Sequence, residues 1–351
     1  MKAAIFYGGH DIRVEELPDP EPGPGEILVR VRSAGICGSD LHPYRSPPVG
    51  GIREPHQRGH ELAGDVVALG EGVEDVSAGQ RIGIEAEHLL GCGVCRACRH
   101  GQNHICAQRG FRGGERQESH GFSQLDVCLA SNCHVLPESI SFDAATQLDC
   151  YACGVHALNR NPVGPDSTVV VIGTGAIGMT LGQLARAYGA GQVVMVGTRP
   201  EPLTIAMEAN AADVVLAISD GDPVEALLEA TGGHGADVVF ETVGGRASTI
   251  DQAVGMARYG GAVSVLGVFT GSSSVDVMAA YRKELSIRWS NSYSSWEGVS
   301  EYQTALRLLS SGWVDPSGFI TTHYPLDSIG EAFAAADDKR NSGAIKVIVH
   351  P

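Results

Sequence analysis

The apolar positions of this chain change their period partway along it. Near the N-terminus they alternate with polar ones, as in Ile12-Arg13-Val14-Glu15 and again in Val29-Arg30-Val31-Arg32, with the turn cluster Pro18 to Glu26 between. Alternation at period two predicts strands with one face on a core and the other in water. Turn signals and β-branched residues recur to about residue 135, as in HELAGDVVALGEGV and RIGIEA. This half therefore reads as β-rich, with loops carrying the chemistry. SFDAATQLDCYACGVHAL has helical character and bridges to the second region.

From Val169 the texture becomes short apolar runs separated by helical spacing. The runs are VVVIG, QVVMVG, ADVVLA, ADVVFETVG, GAVSVLG and ELSIRWS. Helical periodicity covers Leu203 to Asn210, Pro223 to Ala230 and Arg246 to Tyr259. Strands alternating with helices predict an α/β fold with a parallel, doubly wound sheet. The tail from about Asn291 carries an amphipathic helix (Tyr302, Ala305, Leu306, Leu309) and ends in a strand, AIKVIV. It comes after a complete six-strand set, so it is expected to return to the first domain. The domains then run 1–155, 156–290 and a returning 291–351.

The run Val169 to Ile172 leads directly into Gly173-Thr174-Gly175-Ala176-Ile177-Gly178. A GxGxxG after a buried strand and before a helix (Leu181, Leu184, Ala185, Tyr188) is a dinucleotide fingerprint. Gly173 makes the tight turn, Gly175 lets backbone approach a pyrophosphate, and Gly178 lets the helix pack on the strand. Free N–H groups and the dipole of the helix opening at Ala176 favour the phosphates.

Composition narrows the possibilities. At 351 residues, two domains are expected. A net charge of −16 offers no basic face to nucleic acid or an anionic membrane. No apolar run reaches the length of a membrane span, and charges interrupt the N-terminal strand-like run, so neither a span nor a secretory signal is expected. Nine cysteines, an odd number with four clustered, read as reduced thiols and metal ligands in a cytoplasmic protein.

Cys92, Cys95, Cys98 and Cys106 give C-x2-C-x2-C-x7-C on turns made by Gly91 and Gly93. Four thiolates at this spacing suit a closed tetrahedral zinc site of structural role, in a lobe at about 91–107. The spacing also suits an iron–sulfur cluster, but the proline usual after a ferredoxin's last cysteine is absent, since Ala107 follows Cys106. A second, scattered set is Cys37 in CGSDLH together with His60 and Glu61 in GHE. A thiolate, an imidazole and a carboxylate are the donors of an open zinc site.

The order CGSDxH, GHExxGxVxxxGxxV, a four-cysteine lobe, then GxGxxG resembles the zinc-dependent medium-chain dehydrogenase/reductases, the alcohol and polyol dehydrogenase family, over essentially the whole chain. The resemblance implies a GroES-like β-rich catalytic domain and a Rossmann domain. It implies two zinc ions, one catalytic and one structural, and hydride transfer between a small-molecule alcohol or ketone and a nicotinamide. Cys37, His60 and Asp149 correspond to the catalytic zinc ligands, Asp149 lying seven residues before the His of Gly154-Val155-His156-Ala157. Cys150 beside it could compete, and Glu61 is a fourth ligand or an exchanging carboxylate. Asp40 matches the carboxylate that orients the ligating histidine. Ser39 would hydrogen-bond the substrate hydroxyl, and His42 would pass its proton to solvent.

NAD-binding members place an acid at the end of the second strand. The ungapped position here is Gly197, followed by Thr198 and Arg199. Glycine removes the repulsion of a 2′-phosphate and the Arg199 guanidinium can pair with it, so NADP(H) is expected over NAD(H). Lys346 corresponds to a basic residue reaching the pyrophosphate. Val265, Gly267 and Val268 correspond to the strand end against the nicotinamide, though ordinary strand core is nearly as good a reading. Cys150 and Cys153 read as buried thiols, Cys128 and Cys133 match no ligand spacing, and His156 reads as packed at a helix start. Tyr44, Glu87 and His88 sit in loops that border the cleft in such enzymes and would favour a polyhydroxylated substrate. The expected activity is oxidation of a secondary alcohol, polyol or sugar- or cyclitol-derived hydroxyl in a homodimer or homotetramer. The alternatives are a threonine-type amino-alcohol dehydrogenase and a non-catalytic, crystallin-like cofactor binder, against which the presence of Cys37, Ser39, His42 and His60 argues.

Overall fold

The computed structural model describes residues 1–46, 56–86, 91–108, 111–112, 115–116 and 120–351. The chain divides into two compact units. The first comprises Met1–Asp149, Ser294–Ser310 and Ile320–Pro351, and the second Cys150–Tyr293 and Ser311–Phe319. Most of the tail, residues 294–310 and 320–351, lies in the first unit. The division falls between Asp149 and Cys150, inside the helix Leu148–Arg160. Residues 311–319 join the second unit; Asp315 exchanges hydrogen bonds with Gln183 there.

The first unit is built on a seven-stranded sheet in the order Ile320–Pro325, Lys346–His350, Glu26–Gly35, Glu61–Leu69, Arg81–Ile84 and Cys133–Val135, with Leu125–Leu129 also pairing to Glu26–Gly35. In Glu26–Gly35, Ile27, Val29 and Val31 are buried while Arg30 and Arg32 between them are not fully so. The alternation read in the sequence thus separates core from solvent. The C-terminal strand is interior: Lys346–His350 runs antiparallel to Glu26–Gly35, with Ile348 opposite Gly35, and parallel to Ile320–Pro325. Phe6, Phe122 and Phe333 meet in the core, with Phe333 edge-on to the other two at 5.1 and 5.4 Å between centroids, a favourable aromatic arrangement. The helix Ile329–Asp337 that supplies Phe333 is therefore part of the first core.

The second unit is a six-stranded parallel sheet. Its order is Val214–Ala217, Gln192–Gly197, Thr168–Ile172, Ala236–Glu241, Ala257–Val265 and Ser286–Trp289. Numbered along the chain this is 3-2-1-4-5-6, the doubly wound arrangement with its switch point between the first and fourth strands. Val169, Val170, Val171 and Ile172 are all buried, as strands covered on both faces require. One expected helix is shorter than its pattern: it spans Thr249–Met256, and Ala257 already pairs with Ala236 in the next strand. Among the described residues, no helix is long and apolar enough to cross a membrane.

Candidate active site and metal centres

The glycine turn sits between the strand Thr168–Ile172 and the helix Ala176–Ala187. Gly173 has φ +116°, and a Cβ there would stand 2.5 Å from Thr242 Oγ1. A Cβ on Gly178 would stand 2.0 Å from the Gly173 carbonyl oxygen. Both positions are closed to side chains by the fold itself. Gly175, at the helix N-cap, differs, because a Cβ there would meet nothing within 4 Å. The open space over Gly175 fits a pyrophosphate approaching the backbone at the positive end of the helix.

At the end of the second strand, Gly197 is buried, and a Cβ would lie 2.7 Å from Thr174 Cγ2. Thr198 is exposed, and Arg199 forms the N-cap of the helix Pro200–Glu208. Val265 is buried in strand core, Gly267 packs on Gly244 and Glu241, and Val268 is exposed. Glu241 was not singled out from the sequence. Buried at the end of the fourth strand, it accepts hydrogen bonds at Oε1 from the N–H groups of Val243 and Gly244 and from Thr249 Oγ1, at 2.8 to 2.9 Å. It shapes the loop that presses Thr242 against Gly173. An acid closing an apolar strand was the available signal.

The cysteine lobe is compact. Sγ–Sγ distances are 3.4 Å for Cys95–Cys98, 3.9 Å for Cys95–Cys106 and 4.0 Å for Cys92–Cys98. A tetrahedron with Zn–S bonds of about 2.3 Å has edges of about 3.8 Å. The four sulfurs thus fit one zinc ion; they are too far apart for disulfides and leave no room for a multi-atom iron–sulfur core. Backbone N–H groups point at the sulfurs, from Cys92 and Gln108 to Cys106 and from Cys95 to Cys92, at 3.3 to 3.4 Å. The N–H groups of Val94 and Cys95 bring the Cys92 thiol down to about 6, whereas burial pushes Cys98 up to about 12. The lobe is tied to the returning segment, where Ser294 Oγ donates to the Gly101 carbonyl at 2.6 Å and accepts from the Asn103 N–H at 3.0 Å.

The scattered set is brought together in the first unit. One donor atom each from Cys37, His60 and Glu61 lie within 4.8 Å of one another. Cys37 caps the helix Gly38–Arg45, and His60 precedes the strand Glu61–Leu69. Buried Asp40 addresses both ligands: Oδ2 accepts the Cys37 N–H at 2.9 Å and Oδ1 lies 3.5 Å from His60 Nδ1. That contact leaves Nε2 for the cluster, where Ser39 Oγ lies 3.5 Å away. Burial alone would lower the His60 pKa, but the charges of Asp40 and Cys37 outweigh it and hold the imidazole well above its usual value. A thiolate, an imidazole and a carboxylate, the donors of a zinc site, thus face one another.

Asp149 is buried at the start of Leu148–Arg160 but lies outside the three-residue set, which has Glu61 instead. Burial pushes the Tyr302 phenol well up, with the charges of Glu85 and Asp149 adding to it. Lys346 is buried in the first unit. Its Nζ forms a buried ion pair with Glu61, crossing the strand between them at Gly35, where a Cβ would lie 2.3 Å from Glu61 Oε2 and 2.8 Å from Lys346 Cε. Tyr44 is core, edge-on to His10 at 4.8 Å and beside Phe333 at 5.2 Å. His42, one turn past Ser39, is half-buried. His156 is buried in its helix. Glu87 and His88 lie outside the described residues.

Comparison with known proteins adds the lineage. Residues 23–138 match the model of the alcohol dehydrogenase GroES-like domain, and residues 176–311 that of the zinc-binding dehydrogenases. Sorbitol dehydrogenase of Bacillus subtilis is 29% identical, over 100% of this chain and 97% of its own. L-idonate 5-dehydrogenase of Vitis vinifera is 30% identical, over 99% and 93%. The crystal structure of galactitol-1-phosphate dehydrogenase from Escherichia coli superposes with a TM-score of 0.86 at 28% identity, covering 100% of both chains. Two further solved chains of the same fold hold NADH and NADP, respectively. Likeness of this extent, joined to a zinc-type donor set and a dinucleotide turn in one chain, makes the protein a zinc-dependent alcohol/polyol dehydrogenase of the medium-chain dehydrogenase/reductase family.

Proposed function

We propose that this chain transfers hydride between NADP(H) and a secondary alcohol, polyol or sugar- or cyclitol-derived hydroxyl. The observation that carries the reaction is the Cys37, His60 and Glu61 cluster with both ligands oriented by Asp40. Bound there, zinc would act as a Lewis acid, which lowers the pKa of a coordinated hydroxyl and makes the carbon beside it a hydride donor. Cys37 and His60 supply two fixed ligands. Glu61 and Asp149 are the carboxylates available for the third, and Glu61 must leave Lys346 to serve. Ser39, exposed beside His60, orients the substrate hydroxyl and takes its proton. His42 passes that proton on to water. Paired with Glu61, Lys346 would hold that carboxylate back and leave a coordination position for substrate.

The cofactor choice rests on Gly197, Thr198 and Arg199. Thr174 and Leu203 fill the space in which an acidic side chain would begin, so nothing at that position repels a 2′-phosphate. Arg199 supplies a planar cation for it. The polyol class rests on the relatives named above, which act on polyols or their acid and phosphate derivatives. By the same family likeness the working protein is a homodimer or homotetramer in the cytoplasm.

The test is reduction of NADP+ and of NAD+ across a panel of simple alcohols, polyols, cyclitols and threonine, with and without a chelator. Turnover of polyols or cyclitols with NADP+, abolished by chelation, is expected. Arg199→Ala should lower kcat/KM for NADP+ by about tenfold or more, the worth of one charge-assisted pair, and leave NAD+ unchanged. Preference for NAD+ in the unaltered enzyme overturns the cofactor assignment, and turnover of threonine alone overturns the substrate class.

A further inference from the structure

We propose that Asp143, His323 and His350 form a third metal site, separate from both zinc centres, that takes a divalent d-block cation such as Zn2+. One donor atom from each of the three lies within 4.8 Å of the other two. Sheet register brings the histidines together. In the parallel pair Ile320–Pro325 and Lys346–His350, Pro325 stands opposite His350. His323 lies two residues before Pro325 and so shares the face of His350. The two imidazoles stack with centroids 5.4 Å apart and planes at 24°. Asp143, in the short helix Phe142–Thr146 capped by Ser141, lies over them. His350 Nε2 lies 2.9 Å from Asp143 Oδ1, and His323 Nδ1 lies 3.5 Å from Oδ2.

Tetrahedral zinc with Zn–N and Zn–O bonds of about 2.0–2.2 Å separates its ligand atoms by about 3.3–3.5 Å. The imidazole–carboxylate distances of 2.9 and 3.5 Å lie close to that value, so small side-chain rotations can turn one donor of each residue onto a shared ion. Buried Ser33, on the strand next to Lys346–His350, donates its hydroxyl to Asp143 Oδ1 at 2.5 Å and fixes the carboxylate, the support from behind that a metal ligand needs. Two imidazoles with one carboxylate select zinc, nickel or copper over calcium and magnesium, which want oxygen donors. Both histidine side chains are 45% exposed. Water fills the remaining coordination positions, and the ion exchanges freely, unlike one enclosed by four thiolates.

The experiment uses untagged full-length protein, zinc-loaded and desalted, titrated with Zn2+ by calorimetry and checked by elemental analysis. One further equivalent with a Kd in the micromolar range is expected. In His323→Ala/His350→Ala that equivalent disappears, while zinc already held and turnover stay unchanged. Asp143→Asn weakens it about tenfold or more, as loss of a ligand charge should. Repeating the titration in Cys37→Ser separates this proposal from the catalytic assignment, because the extra equivalent must persist there. Absence of the extra equivalent in unaltered protein, or its survival in the double variant, overturns the proposal.

Discussion

Cys92, Cys95, Cys98 and Cys106 occupy one loop, whereas Cys37, His60 and Glu61 come from a helix cap and a strand start and depend on Asp40 and on Lys346 near the other end of the chain. The first set is closed: four sulfurs within 4.8 Å of one another, with three of the edges between 3.4 and 4.0 Å, near the length zinc imposes. The second is open, its carboxylate held by a competing cation. A closed site can only hold structure together; an open one can admit and release a substrate. Contiguity thus goes with stability and dispersal with catalysis, because positioning several groups around a reacting atom needs a tertiary fold behind each of them.

Replacing a ligand in the open set should have the largest effect on chemistry. Cys37→Ser or His60→Ala should lower kcat by about a thousandfold, the worth of several kcal/mol of Lewis-acid stabilisation, and elemental analysis should show one zinc lost with the lobe's retained. Full turnover in either variant would erase the contrast. In the closed set, Cys98→Ser should cost several kcal/mol of stability and release the lobe zinc. Thermal unfolding should show it as a lowered midpoint, while the folded fraction still turns over. Glu61→Gln should destabilise by about 3–5 kcal/mol by leaving Lys346 buried without its partner. Denaturant titration of Glu61→Gln/Lys346→Met should recover most of that loss; no recovery would mean that the pair is uncoupled. The smallest effect falls on Asp40→Asn. A weaker hold on His60 should reduce zinc affinity by about 10- to 100-fold, read by competition with a chromophoric chelator, and should not touch the lobe.

The same contrast explains what was legible in the sequence. The lobe and the glycine turn are local, so spacing and flanking pattern identify them, and the structure gives each glycine a separate steric reason. The doubly wound sheet was readable because its strands are apolar on both faces. Contacts between distant parts of the chain were not readable. Lys346 meets Glu61 across 285 residues, a pairing that neither spacing nor the family resemblance, which assigned Lys346 to the pyrophosphate, could indicate. Tyr44 sits in a loop that borders the cleft in similar enzymes, and only the fold shows that Phe333 from the returning helix packs on it. Cys128 and Cys133 matched no ligand spacing, and a turn between two strands brings their sulfurs to 3.5 Å. Asp143, His323 and His350 share no motif at all; a parallel strand pair and a crossing helix assemble them.

The interior place of Lys346–His350 in the first sheet has a consequence for synthesis on the ribosome. The second unit is nearly continuous, and all of it has been translated by Phe319. The first includes Met1–Asp149 yet lacks the strand between Ile320–Pro325 and Glu26–Gly35 until Lys346–His350 emerges. Domains usually mature from the N-terminus. Here the later-encoded domain can mature first, and the earlier one stays unfinished until the strand Lys346–His350 has been made.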